Sequence, residues 1–266
     1  MHRKKIEHSM LLLIMCQEQH SFLSVLFFFI KILWLVDMYF SIDSAAADAG
    51  VTHALFLVVR GLIVSPSKPE FLKRCENSVS ECIPEDIGRY NFGMRKILTI
   101  TTEQNNFKTA GEKLRDNFST RGFRSINNII DSYNEVAFYY GLGIGGHDIS
   151  HVRTSDCVEI KISSGEERIT PLFQDKAKTI KSGELIYGTE DRVMAWIGSK
   201  DVDSDYFKIT EKTTDCLFVI IGHEYVSAND LYTVSNKIRR NIVDASYELH
   251  SHEFDVQEFY YNARSS

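Results

Sequence analysis

The sequence predicts an α+β fold, a layered domain of mixed short-stranded sheets with flanking helices. The composition is that of a globular protein, because 44% of the 266 residues are hydrophobic and 25% are charged. Apolar residues recur at steps of three and four in some stretches and at steps of two in others. These stretches do not alternate as regular βαβ units, so an α+β domain is favoured over a doubly wound sheet.

The first half of the chain predicts one buried strand and three helices. The apolar run THALFLVVRG (52–61) is a strand ended by glycine, and Ser65 with Pro66 opens a predicted helix over 65–82. The stretch 93–123 is mixed, with a helical pattern only in KTAGEKLRDNF. The clearest helix is 126–140, which ends at Gly141 and has one apolar face formed by Ile126, Ile129, Ile130, Tyr133, Val136, Ala137 and Tyr140.

The second half predicts strands first and a helix near the end. In DCVEIKI, apolar and charged residues alternate as in a half-buried strand, and GELIYG and RVMAWIG are two more short strands. CLFVIIG (216–222) is a buried strand. The stretch SANDLYTVSNKIRRNIVDASYEL predicts a helix with Ser227 as its N-cap, and EFDVQEFYY predicts an edge strand.

The segment GLGIGGHDIS (141–150) fits the pattern G-x-G-x-x-G of dinucleotide-binding loops. Such a loop leaves a strand and opens a helix, whereas this glycine run follows a helix. We therefore predict a turn and no cofactor. HDISH (147–151) spaces two histidines as in a zinc-binding helix, but it lacks the glutamate of that motif and follows a glycine pair, so we predict no metal.

Charge and cysteine content limit the partners and the compartment. The net charge of −6 and the pI of about 5.9 predict no broad basic face and no DNA partner. The five cysteines form no C-x-x-C pair, which is typical of reduced thiols in a cytoplasmic protein. A local basic cluster suits a tRNA acceptor end, although Glu112 and Asp116 dilute it; it comprises Lys108, Lys113, Arg115, Arg121 and Arg124.

Residues 1–37 differ from the rest of the chain because basic residues precede a long, interrupted apolar run. Three interpretations stay open: a signal peptide, a membrane anchor, or an extended start upstream of a chain that begins at Met38. We favour the last, because the sequence after Met38 is typical of the opening of a soluble domain. The prediction is a non-domain segment over 1–37 and a single domain over 38–266, with no membrane partner.

Four motifs occur in an order that resembles a known family. They are INNIIDSYNEVAFYYGLGIGGHDI, SGEERITPL, GELIYG and DSDYFKITEKTTDCLFVIIG. Over residues 51–256 the chain is similar to the B3/B4 domain, the editing module in the beta subunit of bacterial phenylalanyl-tRNA synthetase. That module also occurs as free-standing proteins. The remaining modules of a synthetase beta subunit have no counterpart in this sequence, so the likeness is to the free-standing form.

The resemblance implies a B3/B4-like layered fold and an enzyme acting in trans that hydrolyses the ester of a wrong amino acid, such as tyrosine on phenylalanine tRNA. The implied partners are the aminoacylated 3′ end of tRNA and an aminoacyl-tRNA synthetase. His147 takes the place of the family's editing-site histidine, and Asp203 or Asp205 lies near its acid, which is a glutamate in the synthetase. The implied binding residues are Arg124, Asn127, Asn128, Asn134 and Thr170.

The chemistry of these residues is sufficient for ester hydrolysis if they converge. The reaction needs a positioned water and donors for the developing oxyanion, and the activated ester requires no metal and no covalent nucleophile. An imidazole such as that of His147 can take a proton near neutral pH. An aspartate can orient the water or hold the substrate ammonium. Gly145 and Gly146 allow backbone amides to approach a carbonyl oxygen.

Each of these features also has a purely structural interpretation. His147 and Asp148 are typical of a turn, the aspartates at 201, 203 and 205 of a solvated strand edge, and Asn127 and Asn128 of a helix cap. Two functions therefore stay open, an editing hydrolase and a non-catalytic module that binds an amino acid, a nucleoside or RNA. They differ in whether His147 and the carboxylates share one pocket.

Overall fold

The computed structural model describes residues 38–81, 84–102, 108–153, 155–249 and 254–263. The predictions for residues 1–37 lie outside these ranges and stay predictions. The helices are α1 (Ser44–Asp48), α2 (Pro69–Glu81), α3 (Pro84–Thr102), α4 (Ala110–Arg121), α5 (Asn128–Tyr140) and α6 (Ala228–Ala245). The strands are β1 (Tyr39–Ile42), β2 (Val51–Arg60), β3 (Ile144–Asp148), β4 (Cys157–Ile162), β5 (Arg168–Ile169), β6 (Lys178–Thr179), β7 (Leu185–Gly188), β8 (Val193–Ile197), β9 (Val202–Asp203), β10 (Asp215–His223) and β11 (Asp255–Asn262).

The strands form two main sheets, which confirms the α+β class. The four-stranded sheet has the order β11-β2-β10-β3 and is antiparallel. The five-stranded sheet has the order β1-β4-β7-β8-β9, in which only β1 and β4 are parallel. The short strands β5 and β6 pair separately. The predicted edge position of the last strand, β11, is confirmed.

Helices pack on one face of the four-stranded sheet, and the five-stranded sheet packs on its other face. This order of layers explains the apolar runs of β2 and β10. Alternate residues of these strands, such as Leu57 and Phe218, pack against helical residues such as Ile129 and Val234. The intervening residues, such as Phe56, belong to a second core that includes residues of the five-stranded sheet. Both faces of β2 and β10 are therefore buried, and alternation disappears from their sequence.

The helix termini agree with local chemistry, with two corrections. Ser227 caps α6 in a capping box with Asp230, as predicted, and Gly141 ends α5 in the left-handed conformation at φ 70°. However, α5 begins at Asn128, because the Asn127 side chain caps it, and Ile126 lies outside its apolar face with 64% of its surface exposed. The helix predicted from Ser65 begins at Pro69.

Two further elements differ from the sequence-based expectation. The segment IGGHD is strand β3 rather than a turn, and it pairs with β10 so that Gly145 lies opposite Val219 and His147 opposite Leu217. Its glycine pair conceals the period-two pattern of a strand.

Helix α3 was not predicted as one element. Its first half lies before residue 93, where the stretch with a mixed pattern begins. No helix among the described residues is long and apolar enough to cross a membrane.

Candidate functional site

A cavity of about 200 Å³ lies where helices α3, α4 and α5 meet both sheets. It is smaller than the roughly 300–1,000 Å³ pockets that enclose drug-sized ligands, so it suits a group the size of an amino acid. The lining residues are Tyr90, Asn91, Met94, Thr109, Ala110, Leu114, Asn134, Ala137, Gly141–Gly145, Tyr187, Ala195–Ile197, Asp201–Asp203, Val219, Ile221 and His223.

The glycine run shapes one wall of this cavity by permitting close contacts. A Cβ atom on Gly145 would collide with the Tyr187 hydroxyl, and one on Gly146 would press on the Tyr133 ring. A Cβ on Gly111 at the start of α4 would collide with the backbone of Gly141. These glycines therefore allow β3 to approach β7 and α5, and α4 to approach the end of α5, which a larger side chain would prevent.

Asp203 supplies the cavity with a carboxyl group that titrates near neutral pH. It lies on β9, opposite Ala195 of β8. Burial, and to a lesser degree the neighbouring carboxylate of Asp201, raises the pKa of Asp203 to about 7. Lys113 of α4 approaches Asp201, with 3.4 Å between Nζ and Oδ2. Asp203 is therefore poised to exchange a proton with a ligand.

His147 lies behind the cavity wall and reaches it only through Tyr187. The His147 Nε2 and the Tyr187 hydroxyl share a hydrogen bond of 2.7 Å. The imidazole is 1% exposed, and burial lowers the pKa of His147 to about 3. His147 is thus neutral at pH 7 and a weak base, contrary to the expectation that it takes a proton near neutral pH. Burial raises the pKa of Tyr187, so its phenol stays protonated and can donate.

The structure brings three of the residues predicted from the sequence to this cavity. Asn134 reaches it from α5, Gly145 from β3 and Asp203 from β9. Gly146 faces the opposite side of β3, against Tyr133. Tyr187 is a site residue that the sequence did not predict, because GELIYG has only the apolar pattern of a strand and no local signal separates this tyrosine from a core residue.

The other predicted residues do not line the cavity. Arg124 is exposed in the segment before α5, and Asn127 caps that helix. Asn128 is fully buried and bonded to Ser65, Ile63 and Ser246.

Thr170 follows β5 and Asp205 follows β9, and both residues are half-buried outside the cavity. The Asp205 carboxylate accepts hydrogen bonds from Lys208 Nζ at 2.9 Å and from the Phe173 amide at 3.0 Å. The carbonyl of Thr170 accepts from the Asp205 amide at 2.8 Å. Of the two aspartates proposed as the acid, only Asp203 therefore faces the cavity.

The two histidines of HDISH do not share a helical face, because His147 is buried on β3 and His151 is exposed in the turn that follows. Within the described ranges, no group of three His, Cys, Asp or Glu side chains is placed to hold a metal ion.

The polar groups of the cavity form a small set within apolar walls. Asp203 can accept a proton from a water, and Tyr187 and Asn134 can donate hydrogen bonds to a carbonyl oxygen. Met94, Leu114 and Val219 contribute apolar surface. This combination suits a ligand that has an apolar side chain next to a carbonyl group.

Comparison with known proteins places the chain in a family. The B3/4 domain matches residues 94–239, more than half of the chain. A similar solved structure is an N-terminal fragment of the phenylalanyl-tRNA synthetase beta subunit from Pyrococcus horikoshii, at 11% sequence identity and a TM-score of 0.44. The match covers 84% of this chain and 54% of that fragment, so this chain spans about half of the fragment's length. No curated protein sequence matches significantly.

Proposed function

The chain belongs to the B3/4 domain family, and from this premise we propose that it is a hydrolase that removes wrongly attached amino acids from tRNA. The observation that carries the proposal is Asp203, whose pKa burial raises to about 7 at the wall of a cavity of about 200 Å³. A carboxylate with this pKa is matched to general-base catalysis at neutral pH. The motifs shared with the editing module of a synthetase provide the substrate class.

In the proposed mechanism, the Asp203 carboxylate takes a proton from a water as that water attacks the carbonyl carbon of the aminoacyl ester. The developing oxyanion accepts hydrogen bonds from the Tyr187 hydroxyl and the Asn134 amide. When the tetrahedral intermediate collapses, the bond to the ribose oxygen breaks. That oxygen receives the proton from the Asp203 carboxyl group, and the free amino acid and the deacylated tRNA leave.

His147 acts in this mechanism through Tyr187. Its hydrogen bond of 2.7 Å holds the phenol oxygen at the cavity wall. If the neutral imidazole donates from Nε2, the phenol proton is left for the substrate. Gly145 provides the space in which this pair forms. His147 is therefore a positioning residue rather than the base.

The test is deacylation of a panel of mischarged tRNAs, beginning with tyrosine on phenylalanine tRNA. Wild-type protein is compared with Asp203→Asn and with Asp255→Asn, which makes the same chemical change at the exposed start of β11. We expect release of amino acid by wild type and Asp255→Asn and a large loss in Asp203→Asn. No release from any tRNA by the folded protein, or release that Asp203→Asn leaves unchanged, would reject the proposal.

The second candidate function is binding of a ligand without hydrolysis. The position of His147 behind the cavity wall favours it. The same cavity would then hold an amino acid or an aminoacyl-adenosine. A non-hydrolysable aminoacyl-adenosine analogue would raise the Tm of the protein, and above its Kd the increase would grow with the logarithm of the analogue concentration. Stabilisation by the analogue together with no deacylation of any tRNA would establish the binding module.

A further inference from the structure

Two large aromatic side chains are exposed on the surface beside β9. Phe173 is 84% exposed and Tyr206 is 43% exposed. They lie on adjacent segments, because Pro171 pairs with Ser204 in an isolated bridge. Exposed aromatics of this size on adjacent segments indicate a contact surface rather than a packing role.

Basic groups accompany both rings. The Lys208 ammonium lies 5.4 Å from the centroid of the Phe173 ring, and the Arg192 guanidinium lies 4.0 Å from the centroid of the Tyr206 ring. We call Phe173, Tyr206, Arg192 and Lys208 the aromatic platform. The platform combines flat apolar ring faces with cationic groups. This combination suits a ligand that has both a ring and a negative charge.

The platform is held in place by specific contacts. Phe173 has φ 60°, a left-handed conformation that is rare for a bulky residue. The Asp205 carboxylate maintains it by accepting a hydrogen bond from the Phe173 amide and another from Lys208. A conformation of this kind persists only where the surroundings determine it, so the exposure of Phe173 is built into the fold.

The segment that contains Phe173 is positively charged, although the whole chain is acidic. PLFQDKAKTIK (171–181) has three lysines and one aspartate. Lys176, Lys178 and Lys181 are exposed, and in the described part of the chain no carboxylate pairs with them or with Arg192. The nearby Asp191 is paired with Arg153 at 3.2 Å.

We propose that the aromatic platform binds single-stranded RNA, with bases stacked on Phe173 and Tyr206 and phosphates held by Arg192 and the lysines of 171–181. Base–aromatic stacking beside a basic track is the usual way in which proteins hold unpaired strands. The platform adjoins the cavity, because Asp205 lies two residues from Asp203 and two extended residues span at most about 7 Å. We identify this strand as the unpaired 3′ end of a tRNA, and that identification rests on the proposed function.

The test measures the fluorescence anisotropy of a short labelled oligoribonucleotide, as a single strand and as a duplex. We expect Phe173→Ala and Tyr206→Ala each to weaken binding of the single strand by roughly tenfold. Phe92→Ala removes another exposed aromatic, 58% exposed on α3, and is expected to have no effect. The affinity is expected to fall as salt rises. Absence of binding, equal binding by all variants, or a preference for the duplex would overturn the proposal.

A second readout separates this proposal from the proposed function. Asp203→Asn should bind the oligoribonucleotide as wild type does, since the carboxyl group lies in the cavity. If the platform variants weaken RNA binding while no variant deacylates any tRNA, the platform stands and the hydrolase proposal fails. If deacylation depends on Asp203 but Phe173→Ala changes neither KM nor RNA binding, the platform proposal fails and the hydrolase stands.

Discussion

Two groups of acidic side chains lie on or beside helix α5, and they differ in where their partners come from. The first lies between α2, α5 and α6 and consists of Asp131 and Glu135 with their serine and asparagine partners; we call it the interhelical cluster. The second consists of Asp203 with Tyr187 and Asn134 at the cavity; we call it the cavity cluster. The two clusters use similar residue types for different purposes.

The interhelical cluster satisfies its acids from within the protein. Asp131 accepts hydrogen bonds from Ser67 and Ser125 at 2.6 Å and from the Ile126 amide at 2.8 Å. Glu135 accepts from Ser78 and from Asn241, both at 2.7 Å. Buried acids with such partners fix the packing of helices and have no capacity left for a ligand.

In the cavity cluster, by contrast, the acid is half-buried at the cavity wall, and desolvation together with the neighbouring carboxylate of Asp201 raises the pKa of Asp203 to about 7. Lys113 of α4 pairs with Asp201. The comparison teaches that burial alone does not identify a functional acid. A buried acid that faces a cavity and has a raised pKa is the stronger candidate.

The largest expected effect is that of Asp203→Asn on deacylation. Loss of a general base should lower kcat by about 10²–10⁴-fold. The free energy of unfolding at pH 7 should not fall, because the asparagine avoids the cost of a buried carboxylate. Deacylation rates and urea unfolding of the same preparations check this, with Asp255→Asn as the control. A loss of activity that merely follows a loss of folding would assign Asp203 to the structural class of the interhelical cluster.

The next effect is the dependence on pH. Below a pKa of about 7, kcat/KM for deacylation should fall by roughly tenfold per pH unit, because the proposed mechanism uses Asp203 in its carboxylate form. If His147 were the base, with its pKa near 3, the profile would be flat from about pH 5 upward. A pH–rate profile of the wild type therefore decides between the two residues.

The free energy of unfolding should also depend on the titration of Asp203, and it should fall as the pH rises. The pKa of Asp203 is raised from 3.8 to about 7 on folding, so the folded state holds the proton more tightly. This contribution is fully present below about pH 4 and is lost as the pH rises through about 7. Urea unfolding of the wild type relative to Asp203→Asn should follow this course, and an unchanged difference between the two proteins would contradict the assignment.

At the start of α5, outside both clusters, Asn128→Ala should reduce stability and leave the chemistry intact. The substitution removes bonds to the Ser65 amide, the Ile63 carbonyl and Ser246, so we expect a loss of about 3 kcal/mol in the free energy of unfolding. The kcat of the remaining folded protein should equal that of the wild type. Ile126→Ala, at an exposed neighbouring position, should change stability by less than about 0.5 kcal/mol.

The smallest effect is expected for the glycine that shapes the cavity wall. Gly145→Ala forces a Cβ into the Tyr187 hydroxyl and should cost about 1–3 kcal/mol of stability, with a lower kcat as Tyr187 moves. Gly88→Ala is the matched control, since a Cβ there meets nothing within 4 Å and the position is helical. It should stabilise by about 0.5–1 kcal/mol. Equal effects at the two glycines would contradict the role of Gly145.

Part of this site could be predicted from the sequence. The order of motifs from INNIIDSYNE to CLFVIIG led to the family and to Asn134, Gly145 and Asp203. The sequence could not show which of Asp203 and Asp205 faces the cavity, because residues two apart point to the same side of a strand. Tyr187 could not be found, because its partner His147 is 40 residues away in the chain.

The local elements follow from residues within one turn or one strand, as the buried runs of β2 and β10, the cap at Ser227 and the stop at Gly141 show. Tertiary structure alone decided which polar groups meet. The pairing of β9 with β8 turned Asp203 toward the cavity, and the packing of one sheet on the other buried His147 against Tyr187. The reason is that a pKa or a hydrogen bond depends on neighbours across layers, and a linear pattern reports only neighbours along the chain.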